Sequence, residues 1–341
     1  MRLWEESRGA SELTRRRDVF RWYTERNPCL RGRPPYWCLH DGTRVIGMHG
    51  HMPVIYDVDG HERLGHMAQD DLLHPSCRGK GLGQVLLDGV RTQAPDFAAA
   101  MWFNDANHRS YGKAGWIDVP GFRRWVRFLD AGRLAREISN PVLARAARIA
   151  GPLALRAQGV RGWLRRRGGL RFEPIEQFDA RFDALWERAK AGLGIAVRRS
   201  SAYLEWRFTQ MPLRRYEIFA ALGASDELLG YVIWRFAPED GRLLVRIFDV
   251  LVDPAERGVL EAMLAHVIEL ARRENATHVV CAAAHPPLAA GLRALGFLAN
   301  RREEYHMISN WEPGFVQKDV TDIRRWHLTL GDADGDIWVD D

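Results

Sequence analysis

A glycine-rich junction between two structured segments constrains the fold of this chain most. Residues 74–83 read HPSCRGKGLG, with three glycines, an arginine and a lysine in the last six positions. An alternating apolar segment precedes the junction, and QVLLDGVRTQ, with apolar residues at helical spacing, follows it. A strand, a glycine loop and a helix in this order let backbone N–H groups converge on a phosphate, and Arg78 and Lys80 add positive charge. The junction predicts an α/β fold with an anion-binding loop at residues 78–83.

Two common nucleotide-binding motifs do not fit this loop. A P-loop requires Ser or Thr after Gly-Lys, whereas Gly81 follows Lys80. A dinucleotide-binding loop requires Gly-x-Gly-x-x-Gly, whereas Gly79, Gly81 and Gly83 alternate with other residues. The sequence therefore excludes both motifs, and Arg-x-x-Gly-x-Gly is the pattern that remains.

The segment before the loop predicts three strands. Asp-Gly pairs at 41–42 and 59–60 are typical of tight hairpin turns, and they place strands near 36–40, 44–57 and 62–73. After the loop we expect a helix, a buried strand in FAAAMWFND, a helix in ANHRSYGKAG and a strand pair formed by WIDV and RRWVRFL. Antiparallel strands followed by a strand-helix-strand crossover describe an α/β layer fold.

The second half of the chain repeats this order. Trp22 matches Trp206, and LLHPSCRG at 72–79 matches LVDPAERG at 251–258. A length of 341 residues also favours two domains. We infer a duplication with three parts: an N-terminal domain at 1–130, a basic helical linker at 131–170 and a C-terminal domain at 171–341.

A second motif follows the glycine loop. In NDANHRSYGKAGW, Asn104, Tyr111 and Lys113 precede Gly115 and Trp116. With its Arg-x-x-Gly-x-Gly loop and this spacing, the chain resembles the GCN5-related N-acetyltransferase (GNAT) superfamily, in particular tandem-domain bacterial members. The resemblance implies two GNAT-like domains, each a mixed, mainly antiparallel sheet with helices on both faces.

The resemblance also implies a co-substrate, acetyl-CoA or another acyl-CoA, and the residues that hold it. The backbone of Leu72 and Leu73 would face the pantetheine arm, and Asn104 would contact the cofactor from the neighbouring strand. The pyrophosphate would be held by Arg78, Gly79, Lys80, Gly81, Leu82 and Gly83. Tyr111 would protonate the departing CoA thiolate, since a phenol is neutral at physiological pH yet can donate a proton.

An attacking amine must lose a proton, so the site also needs a base. Asp70 and Asp71 lie just before the loop, and their side chains alternate across the strand, so only one of them can face the cleft. Asp71 is the first candidate for the base. His66 and His74 are the alternatives.

The second half departs from these motifs at four positions: Gly81 is replaced by Leu260, Gly83 by Ala262, Asn104 by His285 and Tyr111 by Leu292. Leucine in place of glycine blocks backbone access to a pyrophosphate, and Glu256 adds a negative charge to the same loop. We therefore expect that the C-terminal domain is not a second catalyst.

The sequence predicts no metal site. The four cysteines lack C-x-x-C spacing, and the clustered histidines His49, His51, His61 and His66 lack partners at the spacing of metal ligands. The last ten residues, DADGDIWVDD, begin like a calcium loop but end before its required glutamate. We interpret them as an acidic tail that is suited to line a site for a cationic substrate.

Positive charge is concentrated in the linker. Residues 131–170 contain nine arginines and one glutamate, in helix-forming sequence that Pro141 and Pro152 interrupt. Two interpretations remain open: packing across both domains, and a basic interfacial helix, with peripheral contact of residues 133–167 with an anionic membrane or contact with a phosphorylated partner. No nucleic-acid-binding motif accompanies the arginines, so we expect no nucleic acid partner. The absence of a signal peptide or spanning segment favours a cytoplasmic location.

These features predict an N-acyltransferase that moves an acyl group, acetyl first of all, directly from CoA to an amine. A small-molecule or sugar amine is the expected acceptor, and a monomer and a dimer both fit. The tandem transferases that build peptidoglycan bridges from aminoacyl-tRNA are disfavoured, because their loop does not resemble an intact Arg-x-x-Gly-x-Gly. A non-catalytic acyl-CoA sensor or scaffold is the alternative from a different class.

Overall fold

The computed structural model describes residues 2–9, 13–30, 32, 35–93, 98–164, 169–309 and 317–334. Residues 335–341 of the predicted acidic tail and residues 165–168 of the predicted linker lie outside the described residues. Within the described ranges, no helix combines the length and the apolar character needed to cross a membrane.

The first half of the chain contains two N-terminal helices, a three-strand segment, the glycine loop and a crossover. The elements are α1 (Arg2–Arg8), α2 (Leu13–Glu25), β1 (Tyr36–His40), β2 (Val45–Val58), β3 (His61–Leu73), a 3₁₀ turn (Pro75–Cys77), α3 (Leu82–Gln93), β4 (Ala98–Met101), α4 (Asp105–Lys113), β5 (Ile117–Asp118) and β6 (Arg123–Phe128).

Two connecting helices and a second set of elements follow. They are α5 (Ala131–Arg136), α6 (Pro141–Leu164), β7 (Arg171–Pro174), α7 (Ala180–Ala189), β8 (Ile195–Val197), α8 (Ser201–Leu204), β9 (Glu217–Leu222), β10 (Leu228–Glu239), β11 (Arg242–Val252), α9 (Val259–Arg273), β12 (His278–Ala283), α10 (Pro286–Ala294), β13 (Leu298–Glu303), β14 (His306–Ser309), α11 (Gln317–Val320) and β15 (Trp326–His327).

The hairpin of β2 and β3 is the frame of the first half. Asp59 and Gly60 in its turn have φ values of 52° and 86°, the geometry that an Asp-Gly pair favours in a tight hairpin. The antiparallel register runs from Val58↔His61 at the turn to Gly47↔Leu73 at the loop. The three predicted strands are confirmed, and their ends differ from the prediction by one residue at most.

The strands form two sheets that repeat one arrangement. The first sheet has the order β15-β8-β2-β3-β4-β14-β5, with β1 also paired to β2, and the second has the order β13-β6-β12-β11-β10-β9-β7. In each sheet an antiparallel hairpin leads through a helix to a parallel neighbour, β3 to β4 and β11 to β12. The predicted duplicated fold of mixed, mainly antiparallel sheets is therefore present.

The two halves exchange a strand. In the first sheet, β14 from the second half lies between β4 and β5. In the second sheet, β6 from the first half lies between β12 and β13. The predicted pairing of WIDV with RRWVRFL is wrong, because the first segment forms β5 and pairs with β14 while the second forms β6 in the other sheet. The sheets therefore do not coincide with the ranges 1–130 and 171–341.

The linker also differs from the prediction at one proline. Helix α6 runs without interruption through Pro152, which is exposed. Asn140 caps this helix by accepting hydrogen bonds from the N–H groups of Val142 and Leu143 at 2.9 and 3.2 Å. A proline on the solvent side is tolerated because water can satisfy the carbonyl that loses its partner.

One hydrophobic core joins the two halves. It includes Val54 and Tyr56 of β2, Tyr231 and Ile233 of β10, and Phe182 of α7, all fully buried. On the opposite faces, helices α3 and α4 cover the first sheet and helices α9 and α10 cover the second. The inner faces of the two sheets therefore pack against each other in one continuous core.

The matched tryptophans of the duplication meet at the centre of this core. The rings of Trp22 and Trp206 stack with centroids 4.4 Å apart. The indole N–H of Trp22 donates to the carbonyl of Trp206 at 2.8 Å, and the indole N–H of Trp206 donates to the carbonyl of Trp22 at 3.0 Å. The reciprocity of these bonds indicates a local twofold axis between the halves.

Truncating either tryptophan should destabilise the whole chain. We expect Trp22→Ala and Trp206→Ala each to lower the free energy of unfolding by about 3–5 kcal/mol, since each opens a cavity and leaves a buried carbonyl unpaired. The double variant should lose less than the sum of the single losses, because the residues share one contact. Urea denaturation followed by circular dichroism measures all four proteins, and additive losses would contradict the shared contact.

Strand β14 carries a buried histidine, His306, whose titration should make the stability of the protein depend on pH. Burial lowers the pKa of His306 to about 3, whereas a histidine in the unfolded chain titrates near 6.5. The folded state therefore binds fewer protons, and the stability that neutral His306 contributes is lost as the pH falls from about 6.5 toward 3. Wild-type protein should lose up to about 1.4 kcal/mol per pH unit more than His306→Gln in this window. Parallel stability profiles from urea titrations would contradict the assignment.

Candidate active site

The glycine loop forms an open cradle at the start of α3. Gly79 and Gly81 have φ values of 74° and 75°, and no atom lies within 4 Å of the Cβ that a side chain would add at either position. Helix α3 begins at Leu82, and its first backbone hydrogen bonds run from Gln84 and Val85 to the carbonyl of Gly81, which leaves the N–H groups of Leu82 and Gly83 without an acceptor one turn back. The loop thus has the backbone conformation, the space and the donors that a pyrophosphate requires.

The charged side chains of the loop are accessible. Arg78 and Lys80 are exposed, and the Arg78 Nε group donates a long bond of 3.4 Å to the carbonyl of Leu73. His74 fixes the start of the loop, because its Nδ1 atom contacts the Ser76 hydroxyl at 2.6 Å and caps the 3₁₀ turn. The predicted binding residues of the loop are therefore brought together on one accessible surface.

Strands β3 and β4 diverge immediately before this loop. The ladder between them is recorded at His66↔Ala98 and Met67↔Ala99, and β3 continues to Leu73 without further pairs to β4 among the described residues. Leu72 and Leu73 remain paired to β2 on their other side. Their backbone edge toward β4 therefore forms no ladder with β4 among the described residues, and the contact with a pantetheine arm stays a prediction.

A β-bulge sets the two aspartates apart. Met48 pairs with Leu72 and Gly50 pairs with Gln69, so two residues, Asp70 and Asp71, lie opposite the single residue His49. Asp70 takes a φ of 53°, a left-handed conformation that bends the strand. The Asp70 carboxylate accepts a hydrogen bond from the Tyr36 hydroxyl at 2.8 Å, whereas Asp71 faces α4. The predicted placement of the two side chains on opposite faces is confirmed.

Asp71 is the centre of a hydrogen-bond network. Its Oδ2 atom accepts from the Tyr111 hydroxyl at 2.6 Å and from the Asn107 amide at 3.4 Å, and its Oδ1 atom forms a short contact with Nδ1 of His49. The side chain of Asp71 is 24% exposed and that of His49 is 0% exposed, while Tyr111 is 2% exposed. Asp71 is therefore more accessible to an incoming molecule than either His49 or Tyr111.

The electrostatics keep Tyr111 protonated. Burial raises the pKa of Tyr111 well above its ordinary value, and the negative charge of Asp71 and the hydrogen bond to it raise it further. A phenol in this state does not release a free proton near neutral pH. It can pass a proton on only when another group returns one at the same time.

A carboxylate from the far end of the chain also lies near this network. Burial raises the pKa of Tyr23, Tyr36 and Tyr111, and the charge of Asp334 contributes to each of these shifts. The charge of Asp334, at the described start of the acidic tail, therefore acts on the phenols around the predicted site.

Asn104 has a structural role in the ligand-free chain. Its Oδ1 atom accepts from the N–H groups of Ala106 and Asn107 at 3.0 and 2.9 Å and so caps α4. Asn104 is exposed, and its amide nitrogen can still donate. The predicted cofactor contact stays a prediction, but the cap fixes the helix that carries Tyr111.

Sequence reasoning missed His49. Of the histidines named as alternatives for the base, His74 serves the loop turn, and the ring of His66 is buried with its centroid 4.9 Å from that of His51. The sequence did contain a signal for His49. In a hairpin that turns at Asp59-Gly60, Val58 pairs with His61, and counting nine residues away from this pair along each strand places His49 opposite Asp70.

The neighbouring histidine His51 is neutral in this setting, since burial lowers its pKa well below the usual value. Among the described residues, no group of His, Cys, Asp or Glu has the arrangement of a metal site.

A cleft of about 1010 Å³ adjoins the network and runs along the second sheet. Phe103 lines this cleft, and its ring centroid lies 5.2 Å from that of Tyr111. Its walls combine apolar residues of β6 and β11 with charged groups such as Arg124, which pairs with Glu304 at 3.1 Å. Phe103 stands between this cleft and Tyr111, and neither Tyr111 nor Asp71 is among the residues that line it.

We call the repeat built around β2, β3 and β4 the first unit and the repeat built around β10, β11 and β12 the second unit. The place in the second unit that corresponds to the candidate site is closed. Asp249, the counterpart of Asp70, is buried against Arg199 at 3.0 Å, and Arg199 also pairs with Asp332 at 2.7 Å. Tyr231 donates to the same Asp249 carboxylate at 2.9 Å. His285 begins α10 where Asn104 caps α4, but its side chain forms no cap. The second unit therefore buries the counterpart of Asp70 in a sealed polar cluster, and Val250 stands at the position of the accessible Asp71.

Comparisons with known proteins identify the fold. No protein-family model and no curated protein matches the chain. Among solved structures, a GCN5-related N-acetyltransferase from Anabaena variabilis is similar, with a TM-score of 0.56, 15% identity, and coverage of 82% of this chain and 64% of that protein. The match thus spans less than two thirds of the Anabaena protein.

Two further structures have similar scores. A probable N-acyltransferase of unknown function from Enterococcus faecalis has a TM-score of 0.55 and 14% identity, over 89% of this chain and 70% of that one. The N-myristoyltransferase of Saccharomyces cerevisiae, with bound myristoyl-CoA, has a TM-score of 0.59 and 13% identity, over 91% and 75%. The resemblance predicted from the two motifs is confirmed, and the chain has the GNAT fold that these acyltransferases share.

Proposed function

We propose that this chain is an acyl-CoA-dependent N-acyltransferase whose single active site lies in the first unit. The observation that supports this most is the position of Asp71. It is an accessible carboxylate between His49 and Tyr111, at the point where β3 leaves β4 and immediately before the glycine loop. An acid-base network at the mouth of an anion-binding loop suits acyl transfer from CoA.

The acyl-CoA would bind along the opening between β3 and β4, with its pyrophosphate at the glycine loop. The N–H groups and positive side chains of residues 78–83 would hold the pyrophosphate, and the free edge of Leu72 and Leu73 would bind the pantetheine amides in the manner of an added strand. This arrangement directs the thioester toward Asp71. Acetyl-CoA is the proposed donor. A comparison of its affinity with the affinities of longer acyl-CoA molecules would show which acyl chain the site prefers.

Asp71 would act as the base and Tyr111 as the acid of one proton relay. The neutral amine attacks the thioester carbonyl, a new C–N bond forms, and one N–H proton moves to Asp71. The C–S bond breaks, Tyr111 gives its proton to the sulfur, and Asp71 returns a proton to the phenolic oxygen. Free phenolate never forms, which agrees with the raised pKa of Tyr111. His49 would position Asp71 through the Nδ1 contact.

The acceptor would be a cationic amine, either a small molecule or an amino sugar. Asp70, Asp71 and Asp334 supply negative charge around the network, which favours the approach of a protonated amine. The cleft beside Phe103 has room for the rest of such a molecule. The cytoplasmic location that the sequence predicts is part of this proposal.

A non-catalytic acyl-CoA sensor is the second candidate. Both oxygens of Asp71 already accept hydrogen bonds, and the hydroxyl of Tyr111 is committed to one of them. A closed network of this kind also suits a chain that binds acyl-CoA without turnover. Binding and turnover therefore need separate tests.

Binding is tested at the loop. We expect calorimetry to find one acetyl-CoA site per chain, and Gly81→Leu to weaken binding about tenfold or more, because the side chain fills the cradle and strains the backbone. Gly60→Leu is the matched control, since Gly60 also has a positive φ, 86°, and open space, but lies in the turn at the other end of the hairpin. Equal loss in both variants, or none in Gly81→Leu, would contradict a pyrophosphate loop.

Turnover is tested at the network. With a panel of amino sugars and polyamines, thiol release should fall about 10²–10⁴-fold in kcat for Asp71→Asn, while the affinity for acetyl-CoA is unchanged. Tyr111→Phe should lower kcat as well, because it removes the proton that the sulfur receives. Wild-type protein that binds acetyl-CoA and releases no thiol with any amine would favour the sensor. Full activity of Asp71→Asn would disprove its role as base.

A further inference from the structure

Helix α6 is anchored by one narrow face. Gly151 packs so closely on Ala131 of α5 that an added Cβ would lie 2.9 Å from the alanine Cβ. Leu155 is 8% exposed, and its carbonyl accepts a hydrogen bond from Arg272 of α9 at 3.3 Å. These contacts fix which side of the helix faces the protein.

The opposite face carries an apolar stripe. Val142, Ile149 and Leu153 are 74%, 75% and 76% exposed, the highest values of any large apolar side chain in the described part of the chain. Their spacing of seven and four residues, with exposed Ala146 between them, places them on one line along the helix. The stripe points away from the buried positions Gly151 and Leu155, so nothing in this chain covers it within the described residues.

The charges beside the stripe are all positive. Arg145 is exposed beside the stripe, Arg148 is exposed further round the helix in the same direction, and neither forms an ion pair with another described residue. The sequence of α6, PVLARAARIAGPLALRAQGVRGWL, contains no acidic residue over its whole length. A partner that covers this face must therefore present apolar groups together with negative charge.

A second copy of the chain does not meet this requirement. Two α6 helices packed through the stripe would bring arginines against arginines, and like charges in contact are destabilising. Three large side chains also give far less buried area than the roughly 800 Å² per partner of a stable interface. The chemistry instead fits a surface with anionic headgroups above an acyl layer.

We propose that α6 docks this protein on anionic lipid bilayers, lying in the plane of the interface. Val142, Ile149 and Leu153 enter the boundary between headgroups and acyl chains, and Arg145 and Arg148 contact lipid phosphates. Asn140 and Leu143, at the start of the helix, line the large cleft. Docking would therefore hold the cleft next to the bilayer, and only this last point rests on the proposed acyl transfer.

Vesicle flotation with the full chain and no cofactor tests the docking. Wild-type protein should float with vesicles of phosphatidylcholine mixed with phosphatidylglycerol, should not float with phosphatidylcholine alone, and should be released as the salt concentration rises. Ile149→Glu/Leu153→Glu should weaken partitioning about tenfold or more, because the apolar contact is lost. Val85→Glu is the matched control, since Val85 is 54% exposed on another helix, and it should float like the wild type.

The arginines are tested in the same assay. Arg145→Glu/Arg148→Glu should abolish flotation, and Arg145→Lys/Arg148→Lys should retain it, because charge is what the lipid recognises. Unchanged thermal unfolding shows that each variant is folded. The proposal is overturned by no flotation of the wild type, by equal flotation on neutral vesicles, or by a wild-type dimer in light scattering that Ile149→Glu/Leu153→Glu converts to a monomer. None of these readouts depends on acyl transfer.

Discussion

The reciprocal exchange of β6 and β14 is the constraint on which the rest of the structure depends. Each sheet contains a strand from the other half between its crossover strand and its last strand. The wall of the candidate site formed by β4 is therefore supported by β14, which lies far along the chain. Trp22 and Trp206 lock the same arrangement at its centre through two hydrogen bonds and one stacked contact.

A single inserted residue gives the site its chemistry. The bulge opposite His49 turns Asp70 and Asp71 to different faces, so that two neighbouring carboxylates acquire separate partners. In the second unit the counterpart of Asp70 is neutralised by a buried arginine, Arg199. One copy of the duplicated unit therefore keeps an accessible carboxylate at Asp71, while the other has Val250 there and uses the neighbouring Asp249 in a buried ion pair.

Local patterns in the sequence predicted the local parts of this structure. The Asp59-Gly60 turn, the hairpin, the glycine loop and the pair of Asp71 and Tyr111 all depend on residues close in sequence or on one familiar motif. The exchange of β6 and β14 was not predictable, because a short apolar strand carries no signal for which sheet it joins. His49 was missed for a related reason, since the bulge and register that place it beside Asp71 are tertiary features.

Hydrogen exchange with mass spectrometry, with and without acetyl-CoA, tests the central claim most directly. If the first unit alone binds the donor, acetyl-CoA should protect the amides of residues 68–73 and 79–83, which form the free edge of β3 and the loop. The matching segments of the second unit, residues 247–252 and 258–262, should exchange at unchanged rates. Protection confined to the second unit, or none in either, would contradict the account.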